Sequence, residues 1–238
     1  MNRLILSLSL LLTFSLSAAE EKEPSLVYQE QQLRGWTVRV NERLLPEGDL
    51  YEGLGAKAHA LLEASLIRIA LLVPERQLLD LQKVTIVLDE HPKLRAAQYH
   101  PSVGWLEENG YDPQLGKCVH ISKASFFIEE RHVFQQPSVV LHELAHAYHD
   151  QVLGWDFPPI VEAFAKAQEK GNYEEVLHIS GKKVRHYALT DHKEYFAEAT
   201  EAWFGMNDFF PFVRPELKAH DGTLYEVVGR IWEAKAGN

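Results

Sequence analysis

His142 and His146 stand four apart in the run Val139-Val140-Leu141-His142-Glu143-Leu144-Ala145-His146-Ala147-Tyr148. On an α-helix that spacing puts both imidazoles on one face, one turn above the other, where together they can grip one metal ion. His-Glu-x-x-His is the pattern of a zinc site in which the acid, here Glu143, projects beside the metal. There it can take a proton from an attacking water. The flanking residues are apolar, which suits a buried helix that holds its ligands rigid. The chain has 12 histidines, so chance is the bland alternative for the pattern alone, and the rest of a site must be found downstream.

A catalytic zinc needs a third protein ligand, with a fourth position left to water. A histidine ten residues after the first, following a glycine, would serve, but position 152 is Val. His149 is a local rival, three residues after His146, and is expected to lie outside the ligand geometry. The other common solution is a glutamate from a second helix. Between Tyr187 and Phe204 the acids Glu194, Glu198 and Glu201 recur at i, i+4 and i+7, while Phe196, Ala199 and Trp203 can pack inward. Glu201 reads as part of a solvated acidic face. Glu194 and Glu198 read as a ligand plus a carboxylate a turn away, because a metal-bound imidazole commonly donates its other N–H to an acid that fixes its tautomer.

These groups need a scaffold. Gly35 to Asn41 alternates apolar and polar residues and predicts a strand. Ala56 to Val73 predicts a helix with Leu61, Leu62, Leu66, Ile69 and Leu72 on one stripe, stopped by Pro74. Lys83–Leu88 and Lys117–Ser122 read as strands. Residues 91–116, rich in Pro, Gly and aromatics, read as a loop region with short helical turns walling a cleft. Pro137 opens the motif helix, which is expected to end near Gly154. Helices follow from Pro158 to Lys170 and from Tyr173 to His178, with a turn at Gly181–Lys183. Asp191 is a plausible N-cap for a helix from His192 to about Trp203. A last amphipathic helix, Thr223–Ala234, buries Leu224, Val227, Val228, Ile231 and Trp232. Helices outnumber strands without regular alternation, so the expected class is α+β: a small, mostly antiparallel or mixed sheet packed on helices.

The 238 residues are 46% hydrophobic and 24% charged, enough for one catalytic domain with a real core. A formal net charge of −10 speaks against nucleic acid as a partner, since phosphate binding needs a basic surface. Arg3, the apolar run Leu4–Leu16 and the small residues Ser17-Ala18-Ala19 read as a secretory signal cleaved after Ala19, which implies a secreted or periplasmic protein with no membrane span after cleavage. Residues 20–34 are expected to be a flexible leader and 35–238 a single domain. Cys118 is the only cysteine, so no internal disulfide can form.

The pairing of His-Glu-Leu-Ala-His with Tyr187-x₆-Glu194-Tyr195-Phe196-Ala197-Glu198 resembles the lethal-factor-like zinc metallopeptidases, a group that includes anthrax lethal factor and the Pro-Pro endopeptidases. It is similar, more distantly, to the thermolysin-like Glu-zincins. The match covers about residues 138–204, and Tyr99–Trp105 (YHPSVGW) resembles a secreted branch of the same group. The resemblance implies a zincin-like catalytic domain holding one Zn²⁺ through His142, His146 and Glu194. In it Glu143 is the general base, Tyr187 the hydroxyl that stabilises the oxyanion, and Glu198 the acid behind a ligand histidine. An exchange of roles between Glu194 and Glu198 stays open, as does electrophilic help from His186. The implied activity is zinc-dependent hydrolysis of peptide bonds in a peptide or protein substrate. The strand Lys117–Ser122 is a candidate edge for an extended substrate, and Trp105, Tyr111 and Phe126 are candidate pocket residues. The alternatives are a catalytically silent zinc-binding recognition module and a zinc amidase acting on a non-peptide or cell-wall amide. A membrane-embedded protease is excluded for want of long apolar segments.

Overall fold

The computed structural model describes residues 27–47 and 53–234; the expected signal, residues 1–19, and the first part of the expected leader, residues 20–26, lie outside them. Part of the leader is nonetheless structured: Tyr28–Leu33 forms strand β1, turns at Arg34-Gly35 and pairs antiparallel with β2, Trp36–Asn41. The expectation of a loose leader to residue 34 is therefore corrected. Polar residues facing solvent along β1 hide its strand signal, because its register with β2 comes from backbone pairing.

Helix α1, Leu54–Leu72, buries Leu62, Leu66 and Ile69 in the main core, whereas Leu72 at its end is exposed. Gly55 lies against the backbone of Leu44, where a Cβ would meet the carbonyl oxygen at 1.7 Å. A short helix α2, Glu75–Leu81, leads into β3, Ile86–Leu88. The stretch predicted as loop contains β4, Ala97–Tyr99, and α3, Val103–Glu108, before β5, Val119–Ile121. Strand order is β1-β2-β3-β5-β4, parallel through β2, β3 and β5 and antiparallel at both ends. The sheet is thus mixed. It also corrects the substrate-edge expectation: the strand within Lys117–Ser122 is internal, and β1 and β4 are the edges.

One sheet face, with Val38, Ile86, Leu88, Val119 and Ile121, packs into the main core. The other carries Val87 with Cys118, Leu106 and Leu115, a smaller apolar patch beneath α3. Between them Asp89 is fully buried, accepting hydrogen bonds from Tyr28 Oη (2.8 Å) and Asn41 Nδ2 (2.7 Å), with His120 Nε2 at 3.3 Å. Burial raises its pKa, but these partners hold it below the ordinary carboxylate value. A buried charge with its lone pairs satisfied ties β1, β2, β3 and β5 together at their ends.

Short helices α4, Ala124–Phe127, and α5, Glu130–Gln135, precede the motif helix α6, Val139–Tyr148, which continues as a single π-helical turn to Leu153. Helix α7, Pro158–Lys170, has proline at its first turn and ends at Gly171 in the left-handed conformation. A short helix was expected over Tyr173–His178, but Val176–Leu177 (β6) instead pairs with Lys183–Val184 (β7) around Gly181, φ +82°. Helix α8, His192–Phe204, begins as expected at Asp191, whose side chain accepts from the backbone N–H of Lys193 and Glu194. Helices α9, Arg214–His220, and α10, Gly222–Trp232, close the fold, with Asp221 capping α10 and accepting from Tyr195 Oη at 2.6 Å. Helix α6 is sandwiched between the sheet and α8. Among the described residues no helix is long and apolar enough to cross a membrane.

Candidate metal centre and cleft

Helix α6 is buried along almost its whole length, so its two histidines cannot wander: His142 and His146 are each under 10% exposed. Their Nε2 atoms lie 3.1 Å apart. Glu194, projecting from the first turn of α8, places Oε2 at 3.0 Å from His142 Nε2 and 3.3 Å from His146 Nε2. Three donor atoms from two helices thus converge on one point. Tetrahedral ligands bound at about 2.0–2.1 Å stand about 3.3–3.4 Å from one another, so these spacings need only a slight opening to close around a zinc-sized ion. These residues form a group able to hold a metal ion.

The carboxylate behind His142 is not the expected one. Glu201 Oε1 lies 2.7 Å from His142 Nδ1, whereas the nearest oxygen of Glu198 is at 3.7 Å, outside hydrogen-bond range. Glu201 is only 5% exposed, which overturns its reading as a solvated face. The i, i+7 spacing from Glu194 was the visible signal. A periodic acidic stripe is normally solvated, but α8 is enclosed from Tyr195 through Trp203. A proton on Nδ1, donated to Glu201, leaves the Nε2 lone pair aimed at the convergence point. Glu198 is fully buried with Oε2 unpartnered, 3.8 Å from His186 Nδ1.

Charge is concentrated here. Burial works against a proton on His142, yet its hydrogen bonds to Glu194 and Glu201 raise its pKa well above the ordinary histidine value. Burial also opposes ionisation of Glu194, but the two imidazoles hold its carboxyl far below the usual range. Glu198 and Glu201 are pushed up by burial, and Asp208, buried beside them and facing the Glu201 charge, is pushed up to about 7. At Glu201 the bond from His142 opposes the rise. A pocket with this excess of carboxylates suits a divalent cation.

Around the centre runs a cleft of about 950 Å³, walled by β4, by α5 with the end of α4, and by the start of α8 with Tyr187 and Phe209. Glu143 lies in its floor and Oε2 accepts the backbone N–H of Tyr99 at 2.7 Å. Tyr187, on a short 3₁₀ turn, is half-exposed, with its hydroxyl 3.4 Å from Glu194 Oε1. Burial and the Glu194 charge push its pKa up to about 12, so it is a hydroxyl donor at neutral pH.

Other candidates fall outside. His149 is buried among Trp155, Phe196 and His192, with neither ring nitrogen hydrogen-bonded, and burial pushes its pKa down to about 4. His186 caps the turn before Tyr187 through Nδ1, stacks on Phe209, and is neutral because burial pushes its pKa down to about 3. Of the three aromatics proposed for pockets, Phe126 lines the cleft, while Trp105 stacks on Tyr111 away from it. The stretch 91–116 does wall the cleft, through Tyr99 among others, but sequence reasoning did not single out Tyr99 and missed Trp155 and Asp208. No spacing signals them, since each comes from a segment brought in by the fold. Comparison of the chain with protein-family models, curated proteins and solved structures finds no match.

Proposed function

We propose that the chain is a zinc-dependent endopeptidase with a zincin-like catalytic domain, related in mechanism to the lethal-factor-like metallopeptidases and acting outside the cytoplasm after removal of residues 1–19. The observation that carries this reading is the convergence of His142 Nε2, His146 Nε2 and Glu194 Oε2 at mutual spacings of 3.0 to 3.3 Å in the floor of an open cleft. The donor set, two imidazoles and one carboxylate, is that of a catalytic zinc with one position left open.

Zinc supplies a Lewis acid that acidifies water and polarises a carbonyl. The residues of the chain do the remaining work. Glu143 accepts the proton of the attacking water and later delivers it to the leaving amine. The Tyr99 N–H holds one oxygen of Glu143 and leaves the other to the water. The Tyr187 hydroxyl donates to the oxygen that becomes negative as the carbonyl is attacked. Glu201 fixes the tautomer and direction of His142.

A peptide substrate is supported by β4. That strand pairs with β5 on one side only, and Ala97 and Gln98 line the cleft on the other. An extended chain can add to such an edge through backbone hydrogen bonds. The test is mass-spectrometric cleavage profiling of a diverse peptide mixture with residues 20–238 and with Glu143→Gln. Cleavage is expected only with Glu143 present and zinc bound. Full activity in zinc-loaded Glu143→Gln would refute the mechanism.

A further inference from the structure

The cleft is acidic at its centre but not at its end. Where β4 begins, Arg95 and Arg131 both line the wall. The Arg95 guanidinium lies over the Phe126 ring, 4.9 Å from its centroid. That contact uses the flat face of the group and leaves its N–H edge free for a planar acceptor. Arg131 donates Nε to Gln135 at 3.3 Å, which leaves its two terminal nitrogens free. Among the described residues neither arginine has a carboxylate within ion-pair distance, although the chain carries 34 acidic residues against 24 basic ones. Glu129 lines the same end without pairing to either, and His132 beside them is held neutral, its pKa lowered by burial. Two unpaired guanidinium groups in the cleft of an acidic protein are positioned for an anion that arrives from outside.

Their place along the cleft says which part of a substrate they meet. Tyr99 marks the chemistry through its N–H on Glu143. Arg95 precedes it by four residues, two of them before β4 begins, so it lies at most about 13 Å away, and a peptide laid along β4 advances by about 3.3 Å per residue. We propose that this end of the cleft selects peptides carrying an Asp or Glu side chain about two to four residues from the bond cleaved, held by Arg95 and Arg131. The proposal rests on the peptide-hydrolysis reading above and adds the class of substrate to it. Carboxylate and guanidinium meet as a planar fork, so a neutral amide of the same shape is a poor substitute.

The experiment uses a randomised decapeptide library made in two forms, one with Asp and Glu and one with Asn and Gln in their place. Zinc-loaded protein is expected to cleave the acidic form about tenfold faster in kcat/KM, with the acid enriched at one fixed offset from the cut. In Arg95→Gln/Arg131→Gln that ratio falls towards unity through KM, and added salt shrinks it in the wild type. In parallel, retention of both libraries on immobilised Glu143→Gln protein is compared with retention on the same protein carrying the two arginine substitutions. Equal cleavage of the two forms by the wild type overturns the proposal. If neither form is cleaved, the peptidase reading fails separately and retention decides. Acidic enrichment that disappears with the arginines upholds the site, and equal retention overturns it.

Discussion

Replacing Glu201 tests whether the buried carboxylate behind His142 works for the metal. Its Oε1 is 2.7 Å from His142 Nδ1, and both partners are buried. A hydrogen bond to a charged group in such a place contributes about 1.5–3 kcal/mol. At about 1.4 kcal/mol per decade, that is about 10- to 100-fold in metal affinity. Glu201→Gln keeps an acceptor but loses the charge, so zinc should bind about tenfold more weakly; Glu201→Ala, with no acceptor, should approach about 100-fold. Glu198→Gln is the control. Its carboxyl lies 3.7 Å from the same nitrogen, outside hydrogen-bond range, and burial together with the Glu201 charge raises its pKa, so the amide of the same shape is a mild replacement. A change under about threefold is expected there. The assay is competition for zinc against a chelating dye at neutral pH, with circular dichroism confirming that each variant is folded. A larger loss in Glu198→Gln than in Glu201→Gln would refute the assignment and return the supporting role to Glu198.

Tyr187→Phe should retain zinc and lower kcat by about 10²–10³ with a smaller change in KM, read from steady-state kinetics on a cleaved peptide, because it removes one oxyanion donor. Asp208→Asn should change the pH profile of the metal-free protein. Folded Asp208 keeps its proton up to about pH 7, whereas the unfolded chain releases it above the ordinary value of 3.8, so stability falls as pH rises between the two. Thermal melts of the wild type should therefore drop across that window by up to roughly 1 kcal/mol per pH unit more than those of the variant, and the two slopes should coincide above it. Gly55→Ala should lower the melting temperature, with a loss of about 1–3 kcal/mol, because the added methyl group meets the Leu44 carbonyl oxygen.

Periodic features were legible in the chain itself. The helices at Ala56–Val73, Pro158–Lys170 and His192–Trp203 follow from apolar spacing, prolines and the Asp191 cap, and they stand within two residues of those ranges. Strands were harder. β1 has no apolar alternation to betray it, and β4 is three residues long in a stretch dense with turn formers. Val176-Leu177 has a helical neighbourhood in sequence and becomes a strand through a partner six or more residues away.

The same division runs through the site. His142, Glu143 and His146 are neighbours on one turn of helix, so local geometry brings them together whatever the rest of the chain does, and the choice of two imidazoles and an acid already points to a metal. Which glutamate of α8 meets that metal, and which stands behind His142, depends on how α8 is rotated and how deeply it is enclosed. Spacing alone could not separate Glu194, Glu198 and Glu201, since all three share one face of the helix. Packing against α6 on one side and against α7 and α10 on others did so, placing Glu194 at the donor cluster and burying Glu201 against Nδ1. Tyr99 over Glu143 and the arginines at the cleft end come from segments distant in sequence. Their roles arise from long-range pairing, a property of the folded chain that no local pattern of residues encodes.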